Sequence, residues 1–259
     1  MLLRSSSFST FKVCPRKAYY AYILGLVKKN GFNIDLFFGS IIHDAVDVFN
    51  KTGDIEDALN LLEQSDWFHY HSKKNKFVAL TLLKLYARFI SGHSIETSEE
   101  EFTFDVGNHI WKGKFDSLYK PSNSTYVGEV KTTNRWFLHT DPNDQFISYY
   151  IGAKRKYPRL QGVYIFNFDP EKVDVGGTIF VPSQFKIDEW LEETKVAADY
   201  FQLCIDKETF PKNPAGCFIY GKQYPCDFLD LCTSNDYGTR QAIIKNNFVV
   251  NEEAVNLSW

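Results

Sequence analysis

Several features that would narrow the function at once are scarce or missing in this sequence. Cysteines number five, an odd count, and the N-terminal stretch MLLRSSSFSTFKVCPRK has no long apolar core followed by a small-residue cleavage site. A secreted, disulfide-framed protein is therefore not expected, and the reading is cytoplasmic. No apolar run approaches the roughly 18 residues that a membrane-crossing helix requires, so no membrane partner is expected. Internal repeats, low-complexity tracts and an evident interdomain linker are absent. The net charge is −3, so no global basic field advertises nucleic-acid binding, and such a partner would need a local basic channel or bound metal ions. What is present is ordinary folded-protein composition, 44% hydrophobic and 24% charged, rich in aromatics with 23 Phe and 15 Tyr, over 259 residues. That excludes a disordered chain and gives one or two domains.

Hydrophobic periodicity divides the chain. Helical patterns are expected over 5–25, where Pro15 fits a first turn, and over 36–50, 54–64 and 76–92. Alternating segments then predict strands at 100–106, 109–119 and 125–133, the first two a hairpin around Gly107-Asn108. A helix follows over 141–157, with Asp141 or Asn143 as its cap, then strands at 162–168 and 177–182 and a long helix over 183–206. The order predicts an α/β core with an N-terminal helical elaboration.

The chemistry sits in the strands. Asp116 ends the run WKGKFD, and Glu129 and Lys131 occupy alternate positions in GEVKT. Residues two apart on a strand share a face, so Glu129 and Lys131 face one site, and Asp116 joins them if its strand pairs with theirs. Two carboxylates and the Val130 carbonyl are hard oxygen ligands suited to Mg²⁺ or Mn²⁺. A neighbouring lysine can orient a water nucleophile and stabilise charge on a phosphorane. Gln145 and Tyr149 stand at i, i+4 on the following helix, and Gly39 and His43 do so on an earlier one. There the glycine permits close approach, and His43 is a candidate metal ligand or phosphate contact.

Cys204 lies on the apolar side of a helical stretch and reads as a core thiol. The other four differ. Cys217, Cys226 and Cys232 fall in a Gly-, Pro- and aromatic-rich looped segment, and Cys14 stands alone near the N-terminus. Four soft thiolates converging suit an iron–sulfur cluster or a structural zinc, and spacing does not choose between them. Other features read as minor: His69 and His71 in WFHYH, Trp136 and Phe137 as stacking or packing aromatics, the acidic segment ending at Trp259, and a phosphate rim of Lys12, Arg16, Lys17 and Lys154, Arg155, Lys156.

The ordered set, CPRKAYY at 14–20, Gly39 to His43, the Asp116 strand, Glu129-Val-Lys131, Gln145 to Tyr149 and the C-terminal cysteines, resembles the PD-(D/E)xK nuclease superfamily. It is most similar there to the RecB/AddB-type iron–sulfur exonuclease branch that includes the CRISPR-adaptation nucleases. The resemblance runs from about residue 5 to 232. It implies a restriction-endonuclease-like central mixed sheet flanked by helices, with the chain as one nuclease domain. That domain would comprise a helical part over 1–95, an α/β core over 96–206, a cysteine-rich segment over 207–235 closing onto Cys14, and a tail over 236–259. It implies that Asp116 and Glu129, with Val130 and His43, hold the divalent metals, that Lys131 is the catalytic lysine, and that Gln145 and Tyr149 form a QxxxY motif. Cys14, Cys217, Cys226 and Cys232 would ligate a [4Fe–4S] cluster. The activity implied is a Mg²⁺- or Mn²⁺-dependent deoxyribonuclease, an exonuclease on single-stranded DNA ends, with protein partners in recombination, repair or CRISPR adaptation. Two departures stand out: Phe115 replaces a proline often found before the first aspartate, and Gln223 stands where a C-x-x-C pair would begin. The rival readings are a non-catalytic or partner-dependent DNA-binding subunit of the same fold and a zinc-stapled structural protein.

Overall fold

The computed structural model describes residues 1–29, 33–67, 73–133, 143–218 and 225–252, apart from the side chains of 97–99. His69, His71, Trp136, Phe137, Asp141, Gln223 and Trp259 lie outside the described residues. In chain order the elements begin with β1 (Leu2–Leu3), α1 (Ser5–Val13), α2 (Pro15–Ala18) running into a π-helical turn (Tyr19–Ile23), and β2 (Leu26–Lys28). Next come α3 (Ile34–Thr52), α4 (Ile55–Gln64), α5 (Lys76–Phe89), β3 (Ser94–Val106), β4 (His109–Lys120), β5 (Thr125–Thr132) and α6 (Asp144–Lys156). The chain continues with β6 (Leu160–Asp169), β7 (Asp174–Phe180), α7 (Gln184–Asp206), a 3₁₀ turn (Pro214–Phe218), α8 (Leu229–Thr233), α9 (Tyr237–Asn247) and β8 (Phe248–Val250).

The sheet is mixed. Its strand order is β1-β4-β5-β6-β7, with β3 also pairing β4. The β1–β4 and β5–β6 pairs are parallel, whereas β4–β5 and β6–β7 are antiparallel. Gly107, between β3 and β4, takes a left-handed conformation at φ 59°, and a Cβ there would meet the Lys195 stem at 3.0 Å. Glycine is the residue that serves both demands of this turn.

The chain divides into two compact units that interleave along the sequence. One comprises Phe32–Phe102 and Gly113–Ile187, and the other Met1–Gly31, Thr103–Lys112 and Asp188–Trp259. In the first, Phe38, Ile42, Val46, Leu82 and Tyr86 from α3 and α5 form one core with Val130, Phe166 and Phe168 of the sheet. Residues 127–130 of β5 are all buried, as expected of a strand covered on both faces. Cover on the opposite face comes from α6, whose N-terminus is fixed by Asn143, the side chain of which accepts from Gln145 N–H at 2.9 Å. The second unit has its own aromatic core. Trp111 packs edge-on against Phe8 and Trp190, and Phe11 stacks on Phe201 at 3.9 Å. Cys204 is buried beside Phe201 and Phe210, consistent with a core thiol. Residues 236–250, expected as part of a tail, form α9 and β8, and β8 pairs antiparallel with β2.

Candidate active site and cysteine site

The unit of residues 32–102 and 113–187 contains all six of the side chains that the motifs single out around the carboxylates. Register does most of the placing. Ser117 pairs with Gly128 in the antiparallel β4–β5 ladder, so one step further along Asp116 lies opposite Glu129 on the same face. Asp116 Oδ2 accepts from the Val130 N–H at 3.0 Å and lies 3.4 Å from His43 Nδ1. His43 arrives on α3, which comes close to the end of β5 at Gly39, where an added Cβ would sit 3.2 Å from Thr132 Oγ1. The close approach expected of that glycine is therefore present.

Glu129 is 1% exposed. Its Oε1 is ion-paired with Lys131 and accepts from Gln145 Nε2 at 3.0 Å. Its Oε2 is buried and has no hydrogen-bond partner among the described residues. Burial, and then the negative charge of Asp116, push the Glu129 carboxyl up to about 8, against the pull of Lys131. Lys131 Nζ also donates to Gln145 Oε1 at 2.9 Å, and Gln145 Nε2 donates to Tyr149 Oη at 2.7 Å. Tyr149 is buried against Phe102 and Phe115, and burial followed by the charge of Glu129 holds its phenol well above the ordinary range. Gln145 thus joins Lys131, Glu129 and Tyr149 in one network, as the i, i+4 spacing on α6 leads one to expect.

The donor set suits a hard divalent cation. A buried carboxylate oxygen without a hydrogen-bond donor has lone pairs available, and two carboxylates facing each other gain from a cation between them. Among the described residues, however, no group of three or more His, Cys, Asp or Glu side chains is arranged as a ready-made ion site. His43 and Asp116 form one pair and Glu129 and Lys131 another, so ion binding has to draw Glu129 away from its lysine.

The other unit gathers the four cysteines. Cys14, at the N-terminus of α2, is buried, and its Sγ accepts from Asn213 N–H at 3.4 Å. Cys217 approaches the Asn213 carbonyl at 3.9 Å through its Sγ, and its own carbonyl accepts from Cys226 N–H at 2.8 Å. Burial raises the Cys226 and Cys232 thiols first, and the neighbouring cysteines raise them further, Cys217 and Cys14 for the former and Cys14 and Cys226 for the latter. All are free thiols. The expected phosphate rims are largely engaged within the chain. Arg16 donates to the Phe210 carbonyl at 2.7 Å, Lys154 to the Leu160 carbonyl at 2.6 Å, and Lys156 pairs with Glu100 at 2.6 Å.

A mixed sheet flanked by helices, carrying paired carboxylates with a lysine two residues on, defines a fold of the restriction-endonuclease-like class. The chain belongs to the PD-(D/E)XK nuclease superfamily, whose family model matches residues 5–233. Nucleases of this superfamily generally use Mg²⁺ or Mn²⁺. No curated protein matches the chain. Among solved structures it is similar to a provisionally named exonuclease from Eubacterium rectale, at 14% identity and a TM-score of 0.51, covering 91% of this chain and 88% of that one. It is also similar to a protein named SSO0001, at 14% identity and a TM-score of 0.43, covering 91% and 87%.

Proposed function

We propose that the protein is a divalent-metal-dependent deoxyribonuclease of the RecB/AddB-type branch, acting as an exonuclease on single-stranded DNA ends. The observation that carries the reading is the shared face of Asp116, Glu129 and Lys131, tied through Gln145 to Tyr149, with a buried Glu129 oxygen left without a donor. Asp116 and Glu129, the Val130 carbonyl and His43 would hold Mg²⁺ or Mn²⁺. When bound, the cation polarises the scissile phosphate and lowers the pKa of the attacking water. Lys131 presents its ammonium to that water and to the developing phosphorane charge. Gln145 fixes the rotamer of Lys131 with its carbonyl and that of Glu129 with its amide group. Tyr149 closes the back of the site against Phe102 and Phe115 and keeps water from reaching the carboxylate from that side.

Cys14, Cys217, Cys226 and Cys232 would hold a [4Fe–4S] cluster, with zinc as the alternative for the same four thiolates. Such a group is structural, because none of its ligands belongs to the carboxylate site. Elemental analysis of anaerobically purified protein tests this separately from activity: iron and broad absorbance at about 400 nm support the cluster, and stoichiometric zinc replaces it.

The activity is tested by cleavage of end-labelled single- and double-stranded DNA with Mg²⁺, Mn²⁺ or EDTA, comparing wild type, Asp116→Ala and Lys131→Ala. Metal-dependent laddering from one end, lost in both variants, is expected. Full cleavage by Asp116→Ala would refute the site. A folded, metal-loaded wild type that binds DNA and does not cut it would instead favour a partner-dependent DNA-binding subunit, the reading consistent with the pairing of Lys131 to Glu129.

A further inference from the structure

Strand β6 brings to the face of Glu129 and Lys131 a residue outside every motif position. Asn167 pairs with Lys131 in the parallel β5–β6 ladder, so the two side chains stand side by side on neighbouring strands about 4.8 Å apart. Asn167 is 2% exposed. Its Nδ2 donates to Thr178 Oγ1 on β7 at 3.2 Å, with a longer approach to the Ile165 carbonyl at 3.5 Å. A carbonyl only accepts, so the amide nitrogen is the atom on that side and Oδ1 is turned away from Thr178. That Oδ1 is buried and has no hydrogen-bond partner among the described residues. An unpaired buried acceptor costs stability and is uncommon without a use.

Lys131 supplies the complementary shortfall. An ammonium has three N–H donors. One goes to Glu129 Oε1 and one to Gln145 Oε1, while the ring of Phe146 lies 5.9 Å from Nζ. If Glu129 turns its oxygens to a cation, Lys131 loses a further acceptor. The unpaired acceptor next to it across the ladder is Asn167 Oδ1.

We propose that Asn167 is a positioning residue for Lys131, its Oδ1 accepting from the ammonium as Glu129 releases it and so keeping Nζ over the carboxylate face. An asparagine suits this task because it accepts a hydrogen bond without adding a third carboxylate beside Asp116 and Glu129. Thr178 holds the amide in the accepting orientation. The inference rests on the reading of Lys131 as the catalytic lysine.

Asn167→Leu, Asn167→Asp, Thr178→Val and Lys131→Ala separate the two. Asn167→Leu is expected to lower kcat about 10- to 100-fold through misplacement of Nζ, with KM for DNA within about twofold of wild type. Asn167→Asp, which keeps an acceptor oxygen, restores kcat to within about tenfold, and Thr178→Val loses a smaller factor of about three. With Mg²⁺ bound and no DNA present, the two ε-CH₂ protons of Lys131, resolved by NMR with ¹³C-lysine, become equivalent in Asn167→Leu as the amine swings freely. Wild-type kcat and an unchanged Lys131 signal in Asn167→Leu, beside an inactive Lys131→Ala, would overturn the role of Asn167 and leave that of Lys131 standing. Wild-type kcat in Lys131→Ala would remove the underlying reading. Should Asn167→Leu fail to fold, the half-exposed Thr178→Val decides by the same two readouts, and no change in either refutes the proposal.

Discussion

Glu129→Gln should make the metal-free protein more stable while abolishing cleavage. The carboxyl of Glu129 sits at 1% exposure, and burial together with Asp116 moves it from 4.5 to about 8. The folded protein therefore holds this proton more tightly than the unfolded chain does. Its contribution to stability is complete below pH 4.5 and is lost as the pH rises through about 8. The interval from 4.5 to about 8, at about 1.36 kcal/mol per pH unit, sets a ceiling of about 5 kcal/mol for the cost of ionising Glu129 in place. Relaxation of Lys131 and entry of water reduce that to roughly 2–4 kcal/mol. Glutamine keeps the shape and still offers an oxygen to Lys131 and Gln145. Urea unfolding in EDTA at pH 5 and pH 9 is the assay. The variant should exceed wild type by roughly 2–4 kcal/mol at pH 9 and match it to within about 1 kcal/mol at pH 5. Equal stabilities at pH 9, or a variant less stable there, would refute the argument that Glu129 is held above its ordinary range.

Binding of Mn²⁺ at pH 7 should release close to one proton, the one Glu129 retains, and titration calorimetry in buffers of different ionisation enthalpy measures it. Uptake of a cation with no proton released would place the ion elsewhere. Gly39→Val should cost about 1–3 kcal/mol and most of the activity, because even a lone Cβ stands 3.2 Å from Thr132 Oγ1 at the end of the site strand. Gly39→Ala should be much milder, and thermal melting with single-turnover cleavage distinguishes the two. Trp111→Ala should lose about 3–5 kcal/mol, since the ring is fully buried against Phe8 and Trp190, and chemical denaturation reads the loss directly.

Much of the site was legible because its parts are local. Two-residue alternation puts Glu129 and Lys131 on one face, and the short β4–β5 connection makes their strands neighbours, which is enough to bring Asp116 across from Glu129. The i, i+4 spacing of Gln145 and Tyr149 survives intact on α6. What was not legible depends on register between distant segments or on elements too small to show a period. Asn167 is one polar residue in the apolar run GVYIFNF, and nothing local tells that the parallel ladder seats it beside Lys131. β1, β2 and β8 have two or three residues each, fewer than one alternation cycle needs. No residue of α9 is buried, so no apolar stripe marks it, and its clearest local sign is Asp236 accepting from Thr239 N–H at the N-cap. The ion pair between Lys131 and Glu129 is likewise a property of the burial around it, which the spacing alone does not convey.

The interleaving of the two units has a consequence for how the chain comes into being. The unit that holds the cysteines begins with Met1–Gly31 and is completed by Asp188–Trp259. During synthesis Cys14 emerges roughly 200 residues ahead of Cys217, a wait of about 10–40 s at ribosomal speed. For most of that wait Phe11 lacks Phe201 and Trp111 lacks Trp190, the rings against which they pack in the finished protein. The segment that carries the carboxylates and lysine is made in full within the interval. The unit of residues 32–102 and 113–187 is therefore complete in the nascent chain while the other still lacks its last segment, and any group bound by the four cysteines is a late addition.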